Sequence, residues 1–181
     1  MFDLTFSETH QMIRDTARDF AQNDVFPTAV ERDKSGEFPA EIVKKMGELG
    51  FMGMMVSPEW GGSGLDALSY VIAMEEISAV DASVGVVMSV NNSLVCWGLE
   101  EYGSADQKAN VLTPLARGAV HGAFCLSEPE AGSDATQQHT TATRGDGGWI
   151  LNGTKNWITN GTTASWHLVM AQTDRDLRHK G

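Results

Sequence analysis

The chain has 181 residues, of which 41% are hydrophobic and 20% charged, an ordinary composition for a globular protein with a sizeable core. Its 13 basic and 24 acidic residues give a formal net charge of −11, which repels a nucleic-acid backbone and argues against nucleic acid as a partner. Cys96 and Cys125 lie in apolar runs without metal-ligand spacing, so we expect two buried thiols, a reducing compartment and no metal site.

The amino terminus carries no pattern typical of export. Met1 is followed by neither a basic segment nor an apolar segment of signal-peptide type, and no apolar run approaches about 18 residues. We therefore expect a cytoplasmic protein that does not enter a membrane.

Two helices are predicted in the first 50 residues. Thr5 and Ser7 are candidate N-caps of the first helix, which we expect to end between residues 25 and 27. Pro39 opens the second helix, and Gly50 follows it in the position favoured for a left-handed cap.

Three more helices are predicted before residue 118. The first covers residues 66–79, and the second, capped by Ser83, covers 84–97 and is apolar nearly all round. Each polar side chain inside that apolar helix needs a hydrogen-bond partner; these are Ser89, Asn91, Asn92 and Ser93. Ser104 and Gln107 form a capping box that starts the last helix, and Gly118 ends it.

After Gly118 the hydrophobic period changes from helical to alternating. Four strands are predicted, over residues 121–126, 140–144, 149–152 and 168–171. Asp146 and Gly147 predict a tight hairpin turn between the second and third of them. Helices followed by strands predict an α+β protein, with an all-α domain over 1–118 and a partial β domain over 119–181.

Two stretches of the β region resemble a known signature. Residues 124–134 read FCLSEPEAGSD, where an apolar strand runs into a turn rich in hydroxyls and acids, and residues 152–161 read NGTKNWITNG. Together they resemble the flavin-binding signature of the acyl-CoA dehydrogenase family. The resemblance runs back to Phe2 through KKMGELG at 44–50, PEWGG at 58–62 and SVNNS at 89–93, which is most similar to the short-chain, butyryl-type members.

The resemblance implies FAD as cofactor and assigns roles to individual residues. Phe124, Leu126 and Ser127 would meet the flavin ring, and Ser133 would contact the FAD pyrophosphate and the CoA part of the substrate. Cys125 and Gly132 would also belong to the cofactor-binding residues. Trp157, Ile158 and Thr159 would border the ring, with Thr159 near N5. Ser and Thr hydroxyls can donate to ring nitrogens and carbonyls, and a tryptophan can form a flat wall that excludes water.

The acidic residues beside this motif have a simpler interpretation than catalysis. We expect Glu128 and Asp134 to cap turns and accept backbone N–H bonds rather than act as acid and base. Glu130 stands where the resembled family more often has a small residue. His121 and His139 lack a second ligand at metal-binding spacing.

The resemblance implies an antiparallel β-barrel-like middle domain, of which this chain contains the first part, and a later helical domain carrying the glutamate base. The chain itself therefore has no predicted catalytic residue and is expected to be inactive alone. The implied complete protein oxidises a short-chain acyl-CoA to a trans-2-enoyl-CoA in fatty acid β-oxidation. It passes electrons to electron-transfer flavoprotein and forms a homo-oligomer, a homotetramer in this family. An acyl-CoA oxidase, or a non-catalytic α+β interaction module, remains open.

Overall fold

The helices come first in the chain and the strands follow them. The computed structural model describes residues 5–180, so Met1–Leu4, where the resemblance and the prediction about export begin, and Gly181 lie outside the described residues. The helices are α1 (Glu8–Phe20), α2 (Ala29–Ser35), α3 (Ala40–Glu48), α4 (Ala67–Ser78), α5 (Ala82–Ser89), α6 (Trp97–Tyr102), α7 (Ala105–Gln107) and α8 (Thr113–Ala116). The strands are β1 (Gly122–Cys125), β2 (Thr141–Gly145), β3 (Gly148–Asn152) and β4 (Trp166–Val169). This order confirms the predicted α+β class.

Local capping signals set several helix ends as predicted. The Ser7 hydroxyl accepts a hydrogen bond from the His10 N–H at 3.2 Å and caps α1. Ser104 and Gln107 form both bonds of the capping box that starts α7. Gly50 has φ +80° after α3, a left-handed conformation that a residue with a side chain rarely adopts.

Two helix boundaries differ from the prediction. The chain does not leave helical geometry near Val25, because a π-helical turn (Ala21–Val25) and a 3-10 turn (Phe26–Thr28) lead directly into α2. Pro27 lies at the start of the 3-10 turn, where its missing N–H breaks no hydrogen bond of that turn. The cap of α5 is Asp81 rather than Ser83, since the Asp81 carboxylate accepts the Ser83 and Val84 N–H groups at 2.9 and 3.3 Å.

One long helix crosses the middle of the helical region. α5 continues through a π-helical segment (Val90–Cys96) into α6, so that Ala82–Tyr102 form 21 helical residues. The prediction that no apolar run approaches membrane-spanning length is wrong for this helix by length and composition. Half of its apolar window is buried inside the protein, as in a core helix.

Asn91 on this helix ties three parts of the chain together. Its side chain is fully buried and donates to the carbonyls of Met52 and Leu115 at 2.8 and 3.2 Å. Its oxygen accepts the Gly122 N–H of β1 at 3.0 Å, so the first strand is anchored on the helical layer. The other polar side chains of the helix also have hydrogen-bond partners, as the sequence analysis required: Asn92 bonds to Phe51, Met54 and Met88, Ser89 to Tyr70, and Ser93 to Ser89.

The strands form two separate pairs. β2 and β3 are antiparallel and joined by the predicted turn, in which Gly147 has φ +83°. β1 and β4 are parallel, contrary to the expected antiparallel arrangement, because the hairpin and the 152–165 segment lie between them and return the chain to the same end. Residues 5–180 contain no closed sheet, so the barrel-like detail is not confirmed.

Candidate functional site

The site begins at the edge of β1 that faces away from β4. The Met170 N–H donates to the Cys125 carbonyl at 3.1 Å, so the polar backbone groups of Cys125 point towards β4. Because these directions alternate along a strand, the backbone groups of Phe124 and Leu126 point to the opposite edge. Within the described part of the chain no strand lies along that edge. It presents backbone N–H groups to whatever lies beside it.

The turn after β1 is open on its outer side. Glu128 and Ala131 exchange backbone hydrogen bonds of 3.0 and 3.2 Å, which close the turn. Gly132 and Ser133 follow on the exposed surface, and no atom lies within 4 Å of where a Cβ on Gly132 would stand. The turn therefore offers an unobstructed backbone and a hydroxyl, a combination suited to phosphate oxygens.

The second motif stretch packs directly against the first. The Asn156 N–H donates to the Ser127 carbonyl at 3.0 Å, and the Asn160 side chain donates to the Gly122 carbonyl at 3.0 Å. Trp157 lies between these two anchors with φ +57° and 92% of its surface exposed. The two stretches form one surface, although about two dozen residues separate them in sequence.

A buried ion pair joins the same two stretches. The Lys155 ammonium donates to the Glu128 carboxylate at 2.7 Å, to the Leu126 carbonyl at 2.9 Å and to the Gln138 side chain at 3.1 Å. Glu128 is only 5% exposed, and its carboxylate also accepts the backbone N–H groups of His139 and Thr140. Burial raises the pKa of Glu128, but the hydrogen bonds from Lys155 and the residue 139–140 backbone outweigh it and hold the pKa at about 2.

The predicted role of the two acids in this turn is confirmed. Glu128 accepts the His139 and Thr140 N–H groups, and Asp134 accepts the Thr136 N–H at 3.1 Å. Lys155 was missed by the sequence reasoning. Its signal was a single charged residue within the otherwise neutral stretch NGTKNWITNG, but the sequence did not indicate which acid it meets.

The predicted site residues differ in how they face this surface. Phe124, Leu126, Ser127, Ile158 and Thr159 are partly buried, whereas Gly132, Ser133 and Trp157 are exposed. Cys125 is buried, and burial raises the pKa of its thiol. Its carbonyl accepts the Met170 N–H on the β4 side, so neither its sulfur nor its carbonyl is presented on the edge where the site begins.

A cleft of about 670 Å³ opens beside the second stretch. Ile158 and Thr159 form one wall, and Val86 and Val87 of α5 form part of the other. Arg32, Asp81 and Ser83 also line the helical side, so Thr159 borders a space with both apolar and charged walls.

These features fit a flavin dinucleotide. An exposed tryptophan face suits a flat ring, and the β1 edge together with the Ser127 and Thr159 hydroxyls suits ring nitrogens and carbonyls. The open turn at Gly132 and Ser133 suits a pyrophosphate.

Family models match the chain in two parts. Residues 7–119 match the acyl-CoA dehydrogenase N-terminal domain, and residues 123–181 match the acyl-CoA dehydrogenase middle domain. The mitochondrial short-chain specific acyl-CoA dehydrogenase of Bos taurus is 53% identical over 174 residues, an alignment that covers 96% of this chain and 42% of that protein. The chain thus spans less than half the length of this curated relative.

Solved structures show the same similarity. Butyryl-CoA dehydrogenase from Megasphaera elsdenii superposes with a TM-score of 0.94 at 38% identity, over 99% of this chain and 48% of the other. A glutaryl-CoA dehydrogenase from Mycobacterium smegmatis, in complex with FADH2, superposes with a TM-score of 0.89 at 38% identity, over 93% and 44% of the two chains.

Proposed function

This chain belongs to the acyl-CoA dehydrogenase family, and we propose that the protein containing it is an FAD-dependent short-chain acyl-CoA dehydrogenase. The observation that carries the proposal is the direct attachment of the two motif stretches, which holds the exposed Trp157 beside the Leu126–Ser127 backbone. The 53% identity to a short-chain relative supports an acyl-CoA of butyryl type as substrate. The product is then the trans-2-enoyl-CoA.

Each part of the surface has a role in this proposal. FAD, when bound, supplies the acceptor for the hydride that leaves the substrate β carbon. The Leu126 edge and the hydroxyls of Ser127 and Thr159 donate to the ring and stabilise its negative charge. Trp157 covers one side of the ring and excludes water. Ser133 holds the pyrophosphate and the CoA part of the substrate.

The general base for the substrate α proton comes from outside this chain in the proposal. Glu128 is ionised, but its carboxylate is occupied by Lys155 and two backbone N–H groups, so it is not available to take a proton from the substrate. Glu130 lies on the turn assigned to the pyrophosphate, away from the acyl end. The relatives are more than twice as long as the part that this chain matches, which is compatible with the helical domain and glutamate base that the resemblance implies.

The electron acceptor and the oligomeric state of the complete protein are also proposals. Electron-transfer flavoprotein is the proposed electron acceptor, and the complete protein is a homo-oligomer of the tetrameric kind. A cytoplasmic location and a domain boundary at residues 118–119 remain predictions from the sequence.

A non-catalytic interaction module is the second candidate function. It is favoured by β3, whose five residues are all exposed, including Trp149, Ile150 and Leu151. Such a module requires neither flavin nor the alignment of the two motif stretches.

Cofactor analysis and product analysis separate the candidates. The full-length protein is purified, its cofactor is released and identified, and butyryl-CoA is supplied with either electron-transfer flavoprotein or oxygen as acceptor. We expect FAD at one per chain and trans-2-enoyl-CoA formation that depends on the flavoprotein. Rapid turnover with oxygen alone identifies an oxidase, and absence of flavin favours the interaction module.

A further inference from the structure

Within the described residues 5–180, Lys155 is the only residue of the second motif stretch whose side chain makes three hydrogen bonds to residues in or next to the first motif stretch. An ammonium group has three N–H donors, and here each has a separate acceptor: the Glu128 carboxylate, the Leu126 carbonyl and the Gln138 side chain. The Lys155 side chain is 10% exposed and that of Glu128 is 3% exposed. All three donors of the Lys155 ammonium group are therefore used in hydrogen bonds to residues in or next to the first stretch.

The bond to Leu126 is the informative one. A buried ion pair needs only the carboxylate, and such pairs are often replaceable by apolar residues at little cost in stability. The additional bond reaches the backbone of Leu126, the residue that follows β1. Lys155 therefore fixes the direction of the Leu126 carbonyl in addition to neutralising the charge of Glu128.

The neighbours of Lys155 extend this attachment towards Trp157. Asn156 donates its N–H to the Ser127 carbonyl, and Trp157 follows with φ +57°. Lys155 and Asn156 thus hold the start of the Trp157–Thr159 turn against the Leu126–Ser127 backbone. These contacts set the position of the Trp157–Thr159 turn relative to the Leu126–Ser127 backbone.

We propose that Lys155 is a positioning residue that fixes the distance and orientation of the Trp157–Thr159 turn relative to the Leu126–Ser127 edge, and so sets how tightly the surface they form binds the flavin ring. This inference rests on the proposed function, because it assumes that both stretches contact FAD. It assigns the role to a residue that does not itself touch the ring.

Three variants of the full-length protein separate positioning from stability. Lys155→Met keeps much of the side-chain volume, removes all three donors and leaves the Glu128 carboxylate buried without its cation. The double variant Lys155→Met, Glu128→Gln removes that buried charge but does not restore the donor to Leu126. Lys34→Met, at an exposed position on α2, is the matched control.

The measurements are the FAD dissociation constant, the visible absorption spectrum of the bound flavin and the thermal unfolding of the apoprotein. We expect Lys155→Met to weaken FAD binding about tenfold to hundredfold, as for loss of a charge-assisted hydrogen bond, and to shift the flavin spectrum. We expect the double variant to recover apoprotein stability and yet to keep both the weakened binding and the shifted spectrum. Lys34→Met should match the parent in all three measurements.

Two results overturn the inference. If FAD binding and the spectrum recover together with stability in the double variant, Lys155 has only a structural role. If both flavin readouts are unchanged in Lys155→Met, or in the double variant should the single variant not fold, Lys155 positions nothing. If the parent protein binds no FAD, the proposed function is overturned and this inference with it. If the parent binds FAD and the Lys155 variants match it, only this inference is overturned.

Discussion

Thr159 is a residue whose hydroxyl is assigned to the cofactor rather than to the fold. It is partly buried beside the cleft that Val86 and Val87 line on the opposite side. In the full-length protein we expect Thr159→Val to lower the flavin potential by about 30 to 60 mV, because a hydrogen bond to the charged reduced ring contributes about 1.5 to 3 kcal/mol. Thermal unfolding should stay nearly unchanged.

Spectroscopic redox titration measures the Thr159 effect directly. Thr154→Val, at an exposed position of the same motif stretch that does not line the cleft, is the control and should keep the parent potential. A Thr159→Val potential equal to that of the parent would remove the assigned contact.

Glu128 gives the turn after β1 a dependence on pH. Its folded pKa of about 2 lies below its ordinary value of 4.5, so its stabilising contribution is present above pH 4.5 and is lost as the pH falls towards 2. The shift corresponds to about 3 kcal/mol at neutral pH. We expect Glu128→Gln to lose at least about this much unfolding free energy at pH 7 and to converge on the parent at acid pH.

Denaturant unfolding between pH 7 and pH 2 tests the Glu128 prediction. Glu130→Gln changes an exposed acid on the same turn and serves as the control. Parallel stability curves for Glu128→Gln and the parent, with a constant offset across this range, would contradict the assigned linkage.

At the scale of elements, the helix that runs from α5 to α6 is the support on which β1 rests. Asn91→Ala removes the acceptor of the buried Gly122 N–H and the side-chain donor to the Met52 carbonyl. It also removes one donor to the Leu115 carbonyl, which keeps the Gly118 N–H at 3.0 Å. We expect a loss of about 2 to 5 kcal/mol of unfolding free energy. Asn23→Ala at an exposed position should change it by less than about 0.5 kcal/mol. A loss for Asn91→Ala as small as that of the control would mean that the anchor is not needed.

The elements that sequence reasoning predicted well are those whose signals are local. The Ser104 and Gln107 capping box, the Asp146–Gly147 turn and the left-handed Gly50 each depend on residues within four positions of one another. A single sequence contains these relationships directly.

The features that sequence reasoning missed depend on distant contacts. The parallel pairing of β1 with β4 depends on the path of the intervening 40 residues, and the acceptors of Lys155 lie 17 to 29 positions away. α2 was missed because Pro27 was interpreted as the end of a helix, whereas it lies in the 3-10 turn that leads into α2. For the same reason the motif residues were identified from their resemblance, while their attachment to one another required the structure.

At the scale of the whole molecule, this chain supplies one side of the proposed cofactor site. Trp157 is 92% exposed, and the chain covers 42% of the length of its bovine relative. We expect the 181-residue chain alone to bind no stoichiometric FAD and to show no activity with butyryl-CoA and an artificial acceptor, since a positioned general base contributes about 100- to 10,000-fold.

Purification of the chain with stoichiometric yellow flavin would contradict this expectation for binding. Turnover that survives purification and disappears in Glu130→Gln would contradict it for activity, because it would assign the base to the turn at Ser133.

Anaerobic titration of the full-length protein with butyryl-CoA tests the central claim most directly, namely that the two motif stretches form one surface for a flavin that accepts hydride from an acyl-CoA. The visible absorbance of the bound flavin is followed as substrate is added in the absence of oxygen and of any other acceptor. The account predicts an oxidised flavin spectrum at the start and its loss as butyryl-CoA is added, with trans-2-enoyl-CoA as the product. A protein without flavin absorbance, or a bound flavin that stays oxidised at saturating butyryl-CoA and at saturating longer acyl-CoAs, would contradict it.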